Sequence, residues 1–245
     1  MFNIRIVVVN NYEEMSKKAA DMVASQVILK PDSVLGLATG STPLGMYKEL
    51  INKHENEGLD FSNIKTFNLD EYYGLTKDNS QSYYYYMMNN LFNHINIDLK
   101  NTNIPNGTTN DIEKECEEYD KRIKMAGGID IQVLGIGSNG HIGFNEPDIK
   151  FEAETHLVNL DEETIEANSR FFDSKEEVPT KAISMGIKTI MQSKRIVLLA
   201  NGKGKEEALY RAIKGKIDPT TPASILQLHN NVTLIVDKEA AAKIK

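Results

Sequence analysis

Hydrophobic positions along the chain switch repeatedly between two spacings, and that switching predicts the order of its elements. Short runs rich in β-branched residues at 4–9, 34–38, 64–69, 129–134, 195–200 and 232–236 read as strands. Between them lie stretches whose apolar residues recur three and four positions apart, as in Met15, Ala19, Met22, Val23 and Val27 of residues 12–29. The segments 44–54, 82–92, 112–125 and 206–214 also read as helices. Strands that are largely apolar, alternating with amphipathic helices, predict an α/β fold around a mostly parallel sheet covered on both faces. No Pro/Gly/Ser-rich linker, repeat or low-complexity tract interrupts the pattern, so residues 1–245 read as a single domain. The least regular stretch is 148–180, with Asp161-Glu162-Glu163-Thr164 and Ser169-Arg170-Phe171-Phe172. A long connection of this kind is expected either to form a mobile lid over a site or to be a solvated helical hairpin without a role.

Composition narrows the partners. A net charge of −7 argues against nucleic acid, which requires a basic face, but a few local donors still suffice for a small anion. No apolar run approaches a membrane span, and the N-terminal residues run straight into a strand with no signal-peptide core. Cys116 is the single cysteine and sits among carboxylates, a poor setting for a nucleophile. A cytoplasmic protein without disulfides is the expectation.

In an open parallel sheet, ligands bind where strands end, so the residues after each strand carry the chemical information. Four junctions stand out. Thr39-Gly40-Ser41-Thr42-Pro43 joins a strand to a helix and reads either as an anion cradle or as an ordinary helix cap. Asp70 and Glu71 follow the strand at 64–69 beside Tyr72 and Tyr73, and read as a proton-abstracting carboxylate or as a turn pair. Adjacent side chains on extended backbone alternate, so only one of the two needs to face a ligand.

The third junction is the glycine-rich run 135–147, which formally contains G-x-G-x-x-G. Gly143 and Pro147 interrupt any following helix, so a dinucleotide fingerprint is rejected. His141 and Glu146 within it suit a proton-transfer pair, and no further ligands are spaced for a metal. The fourth is 201–205, where Lys205 at a helix start opposes the helix dipole unless an anion sits there. A cradle, a base, an acid/base pair and a lysine together point to a sugar-phosphate enzyme.

The segments TGSTP (39–43), FNLDEYYGL (67–75), GIGSNGHIGFNEP (135–147), ANSRFF (167–172) and LQLH (226–229), in this order, resemble the glucosamine-6-phosphate deaminase family over nearly the whole chain. The resemblance implies a three-layer αβα sandwich of modified Rossmann type. It implies Asp70 as the base at C2 and C1, and His141 as the proton carrier in ring opening with Glu146 and Asn139 positioning it. Gly40, Ser41 and Thr42, with Arg170 and Lys205, would hold the phosphate. It implies an amino-sugar phosphate substrate, no cofactor and no metal. Some relatives carry aspartate where this chain has Asn139, which would orient the imidazole by hydrogen bonding without charge and leave His141 a weaker base. Allosteric, hexameric relatives place basic residues after the glycine-rich loop and have a longer C-terminus. This chain has His156 and Val158 there and ends at 245, so the resemblance implies a monomer or small homo-oligomer without activation by N-acetylglucosamine-6-phosphate. The nearest rivals are a 6-phosphogluconolactonase or sugar-phosphate isomerase of the same fold. Asp70 in its motif and Glu146-Pro147 at the loop end argue against them. A non-catalytic sugar-phosphate sensor would lack these acid/base residues.

Overall fold

A computed structural model describes residues 4–244; residues 1–3, which enter the reading of the N-terminus, and residue 245 lie outside the described residues. Its main sheet has seven strands, all parallel: β1 (Ile4–Val9), β2 (Val34–Leu37), β3 (Lys65–Asn68), β5 (Thr102–Asn103), β6 (Ile131–Leu134), β9 (Ile196–Ala200) and β10 (Val232–Asp237). A second sheet of three antiparallel strands is formed by β4 (Asp70–Tyr72), β7 (His156–Asn159) and β8 (Lys181–Ser184).

Strand alternation builds the layers. In β9, Ile196, Leu198 and Ala200 enter one core while Val197 and Leu199 enter the other. One face is covered by α1 (Tyr12–Leu29), α2 (Leu44–Glu57) and α3 (Tyr83–Asn90), through residues such as Met15, Val23, Tyr47, Leu50 and Met87. The other is covered by α4 (Ile112–Met125), α6 (Ile187–Met191) and α7 (Glu206–Lys214), through Tyr119, Ile123, Ile190 and Leu209. The αβα sandwich and its mostly parallel sheet are thus as the sequence implies. Helix starts follow local chemistry: the Asn11 side chain accepts from the Glu14 amide, and Asp111 from that of Lys114. Each such cap is worth about 1 kcal/mol.

The strand expected over 64–69 is β3, and a second strand that the sequence did not suggest follows it directly. The first ends at Asn68, and after Leu69 the backbone enters β4, so Asp70 belongs to the small sheet and pairs with Ser184. The sequence period is the same on both sides of the break, which is why it leaves no signal. The stretch 148–180 also has more order than its composition suggests: it contains β7 and α5 (Glu162–Ser169). Both are short and half-exposed, and their apolar residues are too few to set a period.

Strand order places the ligand crevice. From β2 the chain moves to β3 and β5 on one side, then returns to β6 and proceeds to β9 on the other. The loops after β2 and β6 therefore part at a topological switch point, leaving a cleft between them. The loops after β9, β6, β2 and β3 follow adjacent strands, and these are the four junctions singled out above.

Candidate active site

A cavity of about 190 Å³ lies over this switch point and is lined by Gly40, Ser41, Thr42, Asp70, His141, Arg170 and Lys205. That is room for a sugar-sized ligand and too little for a dinucleotide. Tyr83, Phe144, Thr164 and Asn168 complete the walls.

The backbone of 38–43 turns sharply because Gly40 takes φ +92°, a conformation that a Cβ disfavours. The N-cap of α2 is Pro43, and no side chain caps this helix. The hydroxyls of Ser41 and Thr42 are therefore not spent on the helix. Thr42 donates to Asn201 Oδ1 at 3.3 Å, and Ser41 Oγ accepts from Arg170 Nη2 at 3.3 Å. Lys205 occupies the N-cap position of α7 with no side-chain capping bond. Its ammonium pKa is pushed down by burial and by the neighbouring Arg170 charge. Among the described residues neither cation has a carboxylate within ion-pair distance, so their charges are available to an anion.

The two acidic residues of β4 point apart. Glu71 turns away from the cavity and accepts from the amides of Tyr72, Tyr83 and Tyr84 at 2.8–2.9 Å. It thereby caps α3 together with Ser82, whose hydroxyl accepts from the Tyr85 amide. Burial pushes its carboxyl up to about 7, against the opposing pull of the three amides. Glu71→Ala leaves the amides of Tyr72, Tyr83 and Tyr84 without their acceptor and is expected to cost about 1–3 kcal/mol, read from urea unfolding at pH 5, where the raised pKa leaves the wild-type carboxyl uncharged. An unchanged midpoint would contradict this capping role.

Asp70 faces the cavity, 6 % exposed, and its carboxylate has no hydrogen-bond partner among the described residues. Burial, and then repulsion by Glu71, push its pKa up to about 8. A carboxylate desolvated and left unpaired in this way is a base held ready for a proton.

His141 approaches through the glycine-rich loop. A Cβ on Gly137 would lie 2.4 Å from the imidazole, so only glycine lets the ring lie against the chain there. Its Nδ1–H donates to Glu146 Oε2 at 3.2 Å, with Thr164 Oγ1 3.4 Å from the same nitrogen. That contact assigns the tautomer and leaves Nε2 to serve the cavity. Burial raises the Glu146 carboxyl, but hydrogen bonds and charge from His141, with help from Thr164 and Asn139, hold it below the usual range.

Asn139 acts differently from expectation: its Nδ2 donates to Glu146 Oε2 at 2.7 Å while its Oδ1 accepts the His141 amide at 3.1 Å. It makes no side-chain bond to the imidazole, because both its polar ends are committed. The charge beside the ring comes from Glu146, and Asn139 orients that carboxylate.

The small sheet brings the Asp70 carboxylate and the His141 imidazole to one cavity. Ser184 of β8, paired with Asp70, accepts the Phe144 amide at 3.0 Å, and Asn145 Nδ2 donates to the carbonyls of Ile142 and Met185. Helix α5 lies along the opening with Thr164, Ala167 and Asn168 turned inward. Asp161, which the sequence placed in the irregular segment without a role, begins this helix yet leaves it uncapped and sits 3.4 Å from Asn139 Nδ2. Sequence reasoning overlooked Tyr83, Phe144 and Thr164. Phe144 and Thr164 lay inside segments already singled out, whereas Tyr83 was hidden in the run Tyr83–Tyr86. Among the described residues no group of three or more His, Cys, Asp or Glu is arranged to hold a metal ion. None of the described helices is long and apolar enough to cross a membrane.

The chain is similar to known proteins along nearly its whole length. A profile of the glucosamine-6-phosphate isomerases/6-phosphogluconolactonase family matches residues 10–235. A glucosamine-6-phosphate deaminase of Clostridium botulinum (strain Langeland / NCTC 10281 / Type F) is 72% identical over 242 residues, 99% of either chain. That of Clostridium novyi (strain NT) is 67% identical over 241 residues, 98% of this chain and 100% of its own. Among solved structures, a monomeric glucosamine-6-phosphate deaminase superposes with a TM-score of 0.96 at 49% identity, covering 98% of this chain and all of that one. A 6-phosphogluconolactonase from Trypanosoma brucei shares the fold, with a TM-score of 0.80 at 20% identity and full coverage of both chains. By profile, by identity along its length and by fold, the chain belongs to the glucosamine-6-phosphate isomerase/6-phosphogluconolactonase family, on its glucosamine-6-phosphate deaminase side.

Proposed function

We propose that this enzyme converts glucosamine-6-phosphate and water to fructose-6-phosphate and ammonia. The observation that carries the reading is the buried, unpaired Asp70 carboxylate in one cavity with the His141 imidazole and the Ser41, Arg170 and Lys205 cradle.

The 6-phosphate seats on the amides and hydroxyls of 40–42, with Arg170 and Lys205 neutralising it. That contact fixes the sugar so that C1 and C2 face Asp70. His141, its charge balanced by Glu146, carries the proton between ring oxygen and O1 as the pyranose opens. Asp70 takes the C2 proton, leaving an enolamine, and delivers it to C1. The nitrogen is then held as an imine at C2, and water replaces it to give the ketone and free ammonia. Every step is a proton transfer or an addition of water, so side chains at fixed positions suffice. General acid–base catalysis of this kind contributes about 10²–10⁴-fold, and fixed geometry adds more.

The segment 148–180 acts as the lid, with α5 moving over the cavity when Arg170 meets the phosphate. The enzyme works in the cytoplasm as a monomer or small homo-oligomer, without activation by N-acetylglucosamine-6-phosphate. The deciding assay follows ammonia and fructose-6-phosphate from glucosamine-6-phosphate, and equal amounts of both are expected. Hydrolysis of 6-phosphogluconolactone with no ammonia from the amino sugar would overturn the proposal.

A further inference from the structure

A loop that turns its amide N–H groups toward an anion turns carbonyl oxygens the other way, and those oxygens need donors of their own. Behind residues 38–41 three carbonyls meet tyrosine hydroxyls. Tyr47 donates to Ala38 O at 2.5 Å, Tyr86 to Gly40 O at 2.6 Å and Tyr12 to Ser41 O at 3.0 Å. The donors come from α2, α3 and α1, the helices covering one face of the sheet. The Tyr12 hydroxyl also accepts from the Gly45 amide at 2.8 Å, so it ties the Ser41 carbonyl to the first turn of α2. Tyr47 is fully buried, and its ring meets that of Tyr86 edge to face at 6.5 Å. Packed phenol rings have few rotamers to lose, so each hydroxyl is a donor at a set position.

We propose that Tyr12, Tyr47 and Tyr86 are positioning residues that hold the loop with its N–H groups turned toward the cavity, by occupying the carbonyls of Ser41, Ala38 and Gly40. The proposal rests on the reading of 40–42 as the phosphate grip. Gly40 makes the sharp turn possible but also leaves the chain free to rotate out of it. Without the phenols, peptides on either side of Gly40 can turn a carbonyl lone pair toward the phosphate, replacing attraction with repulsion. The helical layer thus sets anion affinity through bonds that never touch the anion.

The test uses Tyr12→Phe, Tyr86→Phe and the double variant, with inorganic phosphate titrated calorimetrically and KM and kcat measured on glucosamine-6-phosphate. Tyr119→Phe is the control, since its hydroxyl holds the carbonyls of Asn68 and Asn103 and none of this loop's own. Each loop hydroxyl removed is expected to weaken phosphate binding and raise KM about three- to tenfold, with a smaller change in kcat. The control is expected to lose thermal stability with phosphate affinity intact. Unchanged phosphate affinity in the double variant, with Tm lowered as in the control, would reduce the phenols to ordinary structural bonds. Failure of the phosphate-grip reading looks different: wild type would not bind phosphate, or would bind it equally after Lys205→Ala, and the proposal would fall with it.

Discussion

Asp70→Asn is expected to lower kcat/KM for ammonia release by about 10³-fold or more and, at the same time, to make the protein more stable above pH 8. Both effects come from one property. The carboxylate is buried, has no hydrogen-bond partner among the described residues, and has its pKa pushed up to about 8 by burial and by Glu71. In the unfolded chain it ionises near the ordinary carboxylate value of about 3.9. Folding therefore favours the neutral acid. Its contribution to stability is complete below pH 4 and is lost as pH rises toward 8. Asparagine removes the ionisation, so variant and wild type should differ little at pH 4 and diverge as pH rises. Each pKa unit is worth about 1.4 kcal/mol and the shift spans about four, so the gain at pH 8.5 is on the order of 5 kcal/mol. Parallel unfolding curves at every pH would show that the carboxyl is not desolvated.

The catalytic half of the prediction has its own readouts. Because the ionised form is the base, kcat/KM of the wild type should climb with pH, reach half its maximum near 8 and level off above that, following the free enzyme. Solvent deuterium should enter C2 of the substrate with wild type and not with Asp70→Asn. Exchange retained by the variant would assign the base elsewhere. A stabilised but inactive protein would also exclude misfolding as the cause of lost activity.

Lys205→Ala is expected to raise KM about 10- to 100-fold, the worth of a charge-assisted bond to phosphate. Burial and Arg170 lower its pKa, so the cavity brings together two cations that repel each other. A bound phosphate converts that repulsion into attraction. Inorganic phosphate should accordingly raise the Tm of the wild type, by mass action, and have little effect on the variant. Arg170→Ala should act less strongly, because Arg170 is exposed and also stacks on Phe171. The double variant should fall short of the product of the two, since both cations serve one anion. An unaltered KM in Lys205→Ala would remove this lysine from the site.

Much of the site was legible because its residues are clustered in short motifs at strand ends, where an open parallel sheet exposes its loops. Glycines at 40 and 137, the pair His141 and Glu146, and a lysine against a helix dipole each break a local rule, and such violations stand out along a chain. Tyr83 did not stand out and Asp161 was noticed only as part of an acidic run, because a tyrosine among tyrosines and an acid at a helix start break no rule. Asn139 was legible as a participant but not in its role, since the partner of an amide depends on which neighbour arrives first in space.

From residue order alone came the alternation of strands and helices, the parallel sheet with two covered faces, and the junctions that carry chemistry, all consequences of side-chain period and backbone freedom acting over a few residues. Tertiary structure decided that Asp70 and Glu71 face opposite ways, that β4 pairs with β8 in a second sheet, and that three phenols from three helices meet behind the loop at 38–41. Those outcomes depend on contacts between residues far apart in the chain, where burial and hydrogen-bond partners are set by packing and leave no local period to read.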